Sequence, residues 1–153
     1  MKPFARIAAI ALALTLTAAV VWAVGSSSTS RRPPSDYSRA SAALDSRNYP
    51  LAIALLEKVV ARDGRNADAY NLLGFSHRKL GDFRKAMAFY AEALRIDPSH
   101  KGAHEYIGEA YLETGNLSKA KEHRAKLDKI CFLPCGEFRD LKKAVAAYEA
   151  KLR

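Results

Sequence analysis

A spacing of 34 residues governs this chain. The segment Ala67 to His100, ADAYNLLGFSHRKLGDFRKAMAFYAEALRIDPSH, sets the frame, with Ala67 as position 1. Tyr70 then stands at position 4, Leu73 at 7, Gly74 at 8, Ala86 at 20, Tyr90 at 24, Ala93 at 27 and Pro98 at 32. Moving the frame forward places His104, Ile107, Gly108, Tyr111, Ala120 and Leu127 on positions 4, 7, 8, 11, 20 and 27. Moving it back places Ala40, Ala52, Leu56 and Val59 on 8, 20, 24 and 27. The turns correspond as well: Arg47-Asn48-Tyr49, Gly81-Asp82-Phe83 and Gly115-Asn116-Leu117. Three registers in phase mean stacked copies of one supersecondary unit, none of which buries its apolar face alone.

Each unit reads as two helices. In the central copy Tyr70, Leu73, Gly74 and His77 share one helical face, and Ala86, Phe89, Tyr90, Ala93 and Leu94 share another. Small Gly74 and Ala86 let the two backbones approach closely. Asp82 is placed to cap the second helix, and Asp97-Pro98 ends it. In the first copy, Ser35 to Ser46 turns Tyr37, Ala40 and Leu44 inward. Asn48 caps a second helix that starts at Tyr49-Pro50, directs Ile53, Leu56, Val59 and Val60 inward, and stops at Asp63-Gly64. The third copy predicts helices over Lys101–Thr114 and from Leu117 to about Ile130.

This pattern of large, small and proline positions resembles the tetratricopeptide repeat (TPR). The resemblance implies an all-α, right-handed superhelix of three helix-turn-helix repeats over about 33–66, 67–100 and 101–130. A last repeat needs a polar-faced cap, and residues 137–152 supply one. Phe138, Leu141, Val145, Tyr148 and Leu152 form its inward stripe, with Lys142, Lys143, Glu149 and Lys151 facing water. Residues 35–153 thus make one domain. The segment from His104 to Leu152 further resembles a group of small exported bacterial TPR proteins that share the third repeat, a cysteine pair and a D-L-x-x-A-[IV] capping helix.

TPR arrays bind peptides or elements of partner proteins on the concave face lined by the first helix of each repeat. By this resemblance positions 2, 5, 9, 12 and 13 carry the groove onto Tyr37, Ser41, Leu44 and Asp45, then Asp68, Asn71, Phe75, Arg78 and Lys79, then Glu105, Glu109, Leu112 and Glu113. Glu105, Glu109 and Glu113 lie four apart and repel one another. Two readings stand: a surface for basic side chains of a partner, or carboxylates that are solvated or paired with Lys or Arg of neighbouring helices. Some TPR proteins clamp a C-terminal carboxylate with Lys, Arg and Asn. Here Asn71 is one position off that pattern, and Gly102 and Tyr106 stand where basic groups are needed.

Residues 1–24 read as an export signal. Lys2 and Arg6 precede Ile7–Val24, an apolar or small-residue run with Ala23 available at a cleavage position. Eighteen residues are also nearly enough for an uncleaved membrane anchor with Trp22 at the interface. No Cys follows the run, which excludes a lipoprotein anchor. Residues 25–34, GSSSTSRRPP, read as a flexible tether. The expected location is the bacterial periplasm, or the inner membrane facing it. The net charge of +9 is concentrated late, with ten Lys/Arg against five Asp/Glu from Leu117 to Arg153. That balance permits anionic partners without choosing one; export argues against nucleic acid.

Cys131 and Cys135 sit in ICFLPCGEF, between the last repeat and the cap. In an exported chain they predict an intramolecular disulfide; a redox-active pair is the alternative, although the spacing is not C-x-x-C. His77 and His104 occupy core positions, His100 a loop and His123 the last helix of the third repeat, so no metal-ligand set is recognised. No phosphate loop, nucleophile elbow, HExxH or paired-carboxylate motif is present. The chain reads as a non-catalytic protein-binding adaptor without cofactors. The second reading is an accessory factor in periplasmic thiol or cytochrome c maturation using the cysteines.

Overall fold

The computed structural model describes residues 35–153; the leader and tether read from the sequence lie outside the described residues. The first repeat is α1 (Asp36–Asp45) and α2 (Tyr49–Arg62), the second α3 (Ala67–Lys79) and α4 (Phe83–Ile96), and the third α5 (Lys101–Glu113) and α6 (Leu117–Ile130). Helix α7 (Gly136–Lys151) follows the third repeat. No strand occurs among the described residues.

Helix starts are set locally. Ser35, Asn48, Asn66, Asp82, His100 and Asn116 each accept a hydrogen bond from the backbone N–H three residues on, satisfying a donor that the first turn leaves free. A histidine does this for α5: His100 Nδ1 accepts from Ala103 N–H at 3.1 Å. Position 15 of every repeat reverses the chain with positive φ, at 58° for Arg47, 81° for Gly81 and 82° for Gly115. Only glycine adopts that conformation without steric cost, so the first repeat departs from the pattern at Arg47.

Packing follows the 34-residue frame. Position 20 is a fully buried alanine in all three repeats, Ala52, Ala86 and Ala120. Gly74 lies against the Tyr90 ring, and a Cβ there would stand 2.5 Å from two ring carbons. Glycine is needed here to seat a side chain, which is a different reason from the approach of two backbones that the sequence suggested. The equivalent Gly108 faces another occupant. Position 24 of the third repeat is Arg124, which cannot fill an apolar seat. Leu141 of α7 does so instead, 2.5 Å from a Cβ built on Gly108.

Thus α7 caps the array by completing the third repeat's core with Leu141 and Val145, with Phe138 and Tyr148 packed beside them. Leu152 does not join this stripe; it follows the last helical turn and is 66% exposed. Of the outward residues, Glu149 is paired with Lys121 of α6. Ala43 and Leu55 are buried core residues additional to those read from the periodicity.

The first helices of the repeats all begin along one edge. Asp36 at the start of α1 pairs with Arg62 at the end of α2 at 2.7 Å. Asp68 at the start of α3 meets His100 before α5 at 3.0 Å. Asp68, His100, Lys101 and Glu137 line one concavity, which brings the starts of α3, α5 and α7 together. Leu80 and the two glycine turns lie at the opposite ends of these helices.

Candidate functional site

The face formed by α3, α5 and α7 is built around Arg78. This side chain is on α3, and the residue is only 3% exposed. Its guanidinium carbon lies 5.6 Å from the Phe75 ring centre and 5.5 Å from that of Tyr106. Its two terminal nitrogens reach Glu109 at 2.6 Å and Glu113 at 2.7 Å. Burial works against the charge, but Tyr90, Glu109 and Glu113 together outweigh it and raise the Arg78 pKa. A planar cation set against the Phe75–Tyr106 ring pair, with a carboxylate on each arm, fixes α3 against α5 in direction as well as distance.

The three glutamates therefore have different fates. Glu109 and Glu113 share Arg78, which bears out pairing across helices for these two. Glu105 has no ion-pair partner among the described residues, and its pKa is pushed up to about 7. Burial is the largest cause; Glu109, Asp140 and Glu137 push the same way, against a smaller pull from Arg78.

Beside this row the surface between α5 and α7 is hollow. One concavity of about 420 Å³ is lined by Glu105, Glu109, Asp140, Lys143, Ala144 and Ala147. Another of about 340 Å³ shares Glu109, Ala144 and Ala147 and extends to Leu112, Tyr148 and Lys151. Both are open to solvent, with a small-residue apolar floor and a charged rim. That shape admits side chains of an extended or helical segment more readily than it encloses a small molecule.

The remaining residues predicted for the groove divide. Phe75 lies between Tyr49, 6.3 Å away between ring centres, and Tyr106, 5.0 Å away. Lys79 is exposed, with its ammonium 5.2 Å from the Phe75 ring centre. Tyr37 is half-buried, and burial together with the charge of Asp68 raises its pKa. The Ser41 hydroxyl donates to the Tyr37 carbonyl at 3.3 Å and is occupied within α1. Asn71 is buried, packed where Gly102 leaves room; a Cβ on Gly102 would be 3.0 Å from the Asn71 amide nitrogen. Asn71 and Arg78 thus support the face from below, while Phe75, Lys79, Glu105 and the α7 residues form its surface. Lys143, Ala144 and Ala147 were not read as groove residues, because α7 had been assigned only as a cap. The signal was available: a helix stacked after the third repeat occupies the place of a fourth first helix.

Two histidines meet where the sequence showed no cluster. His104 of α5 and His123 of α6 are both buried, with their Nδ1 atoms 3.0 Å apart. His104 Nε2 lies 3.0 Å from the Pro98 carbonyl, to which it must donate. His104 Nδ1 is then the acceptor for an N–H of His123. Burial lowers both pKa values, that of His123 to about 4, with Lys126 adding to the effect. The described residues contain no group of three His, Cys, Asp or Glu side chains arranged to hold a metal ion.

Tetratricopeptide-repeat family descriptions match residues 37–101 and 77–129, covering all three repeats. The chain is a tetratricopeptide repeat protein. Over 56 residues, 37% of this TPR chain, it is 34% identical to the uncharacterized protein ycf37 of Guillardia theta; the matched stretch spans 32% of that relative. The TPR domain is similar to Yersinia enterocolitica SycD in complex with a peptide of the translocator YopD. That match has TM-score 0.66 and 18% identity, covering 77% of this chain and 92% of SycD. PcrH in complex with the chaperone binding region of PopD gives TM-score 0.67 and 16% identity, over 77% and 91% of the two chains. At these identities the likeness is one of fold.

Proposed function

We propose that this TPR protein is a non-catalytic interaction module of the bacterial cell envelope that holds a segment of a partner protein along its concave face. The observation that carries the reading is the open surface between α5 and α7. Its apolar floor of Ala144 and Ala147 is bordered by Glu105, a half-buried carboxylate that no cation of the domain pairs with. A lysine or arginine of a bound segment would supply the missing charge, and apolar neighbours of that residue would cover the alanines. The structural neighbours in complex with peptides support a peptide-binding use of this fold. The envelope location rests on the basic and apolar leader read from the sequence, delivered either to the periplasm or to the inner membrane facing it.

Site-specific photocrosslinking in the native envelope tests the groove. A crosslinker at Ala147 is expected to capture a partner, whereas one at Ala88, exposed on α4, is not. The further change Glu105→Lys should abolish capture from position 147. Equal capture from both positions, or capture indifferent to Glu105→Lys, would sink the groove assignment. The intact mass of the protein from the envelope fraction tests the leader separately, by showing whether it is retained or cleaved, and absence of the protein from that fraction would overturn the location.

The thiol-maturation reading gains no support from the site. Cys131 and Cys135 are joined as a disulfide, Cys131 is buried, and the bridge lies at the entry to α7 rather than on the concave face.

A further inference from the structure

We propose that the concave face exchanges a proton for its partner. A lysine or arginine of the bound segment enters beside Glu105 as that carboxyl releases its proton to water, so a fall in pH lets the segment go. The exchange rests on the groove reading given above and deepens it. Glu105 lines the concavity of about 420 Å³ that α5 shares with α7, where Ala144 and Ala147 offer its carboxylate no side-chain donor. The residue is half-buried and is in no ion pair among the described residues. An ionised carboxylate so placed is short of both water and counter-charge.

The charges around Glu105 leave that deficit uncorrected. From α3 comes Arg78, already divided between Glu109 and Glu113. From α7 come the carboxylates Glu137 and Asp140, and Lys143, which has Asp140 three residues before it on the same helix. On α5 itself Glu109 stands one turn on, while Lys101, one turn back, lines the separate concavity at the helix starts. Helices α4 and α6 meet α5 through uncharged groups, Tyr90 against Ile107 and Tyr106, and His123 against His104. Burial and the carboxylates Glu109, Asp140 and Glu137 accordingly push the Glu105 pKa up to about 7, against the smaller pull of Arg78. Near neutrality the groove thus holds protonated and ionised Glu105 in comparable amounts. Only the ionised form offers a basic side chain a counter-charge shielded from bulk water. Cation and proton therefore compete for one carboxyl, the segment's ammonium or guanidinium keeping its own protons. Each lowers the affinity of the other by the same factor. The ionised share falls about tenfold between pH 8 and pH 6, and the apparent affinity falls with it.

Photocrosslinking from Ala147 on the envelope fraction at pH 6, 7 and 8 tests the exchange. Capture is expected to fall about tenfold from pH 8 to pH 6. Glu105→Gln should give weak capture that no longer varies with pH. Asp140→Asn removes one of the charges that hold the proton on Glu105, so its profile should move to lower pH. Circular dichroism of the full chain should stay constant across the range; loss of helix in step with capture would mean unfolding and overturn the exchange. In the purified full chain, Nα-acetyl-arginine amide serves as the probe and should lower the carboxyl-carbon NMR midpoint of Glu105. An unmoved midpoint overturns the exchange. Equal capture at pH 6 and pH 8, or a Glu105→Gln profile with the wild-type slope, overturns it as well while leaving the groove assignment standing. Absence of capture at every pH sinks the groove reading and the exchange together.

Discussion

Arg78 illustrates how removing either side of a buried pair differs. Glu109→Gln with Glu113→Gln leaves a buried guanidinium beside two rings with no counter-charge, which should lower stability by about 3–5 kcal/mol. Arg78→Met leaves two partly exposed carboxylates that water can reach and keeps a side chain against Phe75 and Tyr106, so its cost should be smaller. Urea unfolding of the variants gives the order; a costlier Arg78→Met would mean that stacking, and not charge, holds α3 to α5. The row of glutamates was legible in the sequence, but its counter-ion was not, because the pairing joins position 12 of one repeat to positions 9 and 13 of the next. Glu105 carries a second prediction. Its pKa is raised, so its contribution to stability is complete below the ordinary carboxylate value of 4.5 and is lost as pH rises through about 7. Glu105→Gln should therefore stabilise the protein above pH 7, and carboxyl-carbon NMR should place the Glu105 midpoint near 7.

Within the third repeat, α5 and α6 are joined by titratable groups that favour the uncharged state. The depressed pKa values of His104 and His123 mean stability that is present above the unfolded value of 6.5 and lost as pH falls toward about 4. One proton can be held on the pair with its hydrogen bond reversed; a second sets two N–H groups against each other beside Lys126 and Lys119. Urea midpoints measured across that range should fall on acidification, and His123→Gln should flatten the fall. Glu105 acts in the opposite sense over the same window, so Glu105→Gln should make the acid loss steeper. The caps at Asn48 and Asp82 and the inter-helix turns were readable because they depend on neighbours within three residues, whereas His100, read as a loop residue, proved to cap α5. The histidine contact spans two helices, and nothing in local spacing announced it. The loop before α7 has its own test: alkylation of Cys131 and Cys135 is expected only after reduction, and loss of the bridge should cost roughly 2 kcal/mol by the chain-entropy relation for so short a loop. Alkylation of the untreated protein would return the pair to thiol chemistry.

Across the domain the 34-residue frame specified the order of the six repeat helices, since burial of one face in each repeat is written directly into the spacing, and the apolar stripe of residues 137–152 added the seventh. What it left open was the docking of α7, which depends on the size of a hole at Gly108 and on which side chain fills it. Gly108→Ala should cost about 1–3 kcal/mol by overfilling that seat, and Leu141→Ala about 2–5 kcal/mol by emptying it. A double-mutant cycle should show the two costs falling short of additivity, because each change relieves the other; strict additivity would mean that α7 is held elsewhere. The same seat limits how such a chain can lengthen over generations. A duplicated copy placed after the third repeat would find its docking face already taken by Leu141, and its newcomer would be left without a neighbour. A copy inserted between the second and third repeats keeps Gly108 and Leu141 together. Longer descendants of this array should therefore have gained their additional units internally, carrying the terminal pair unchanged at the end.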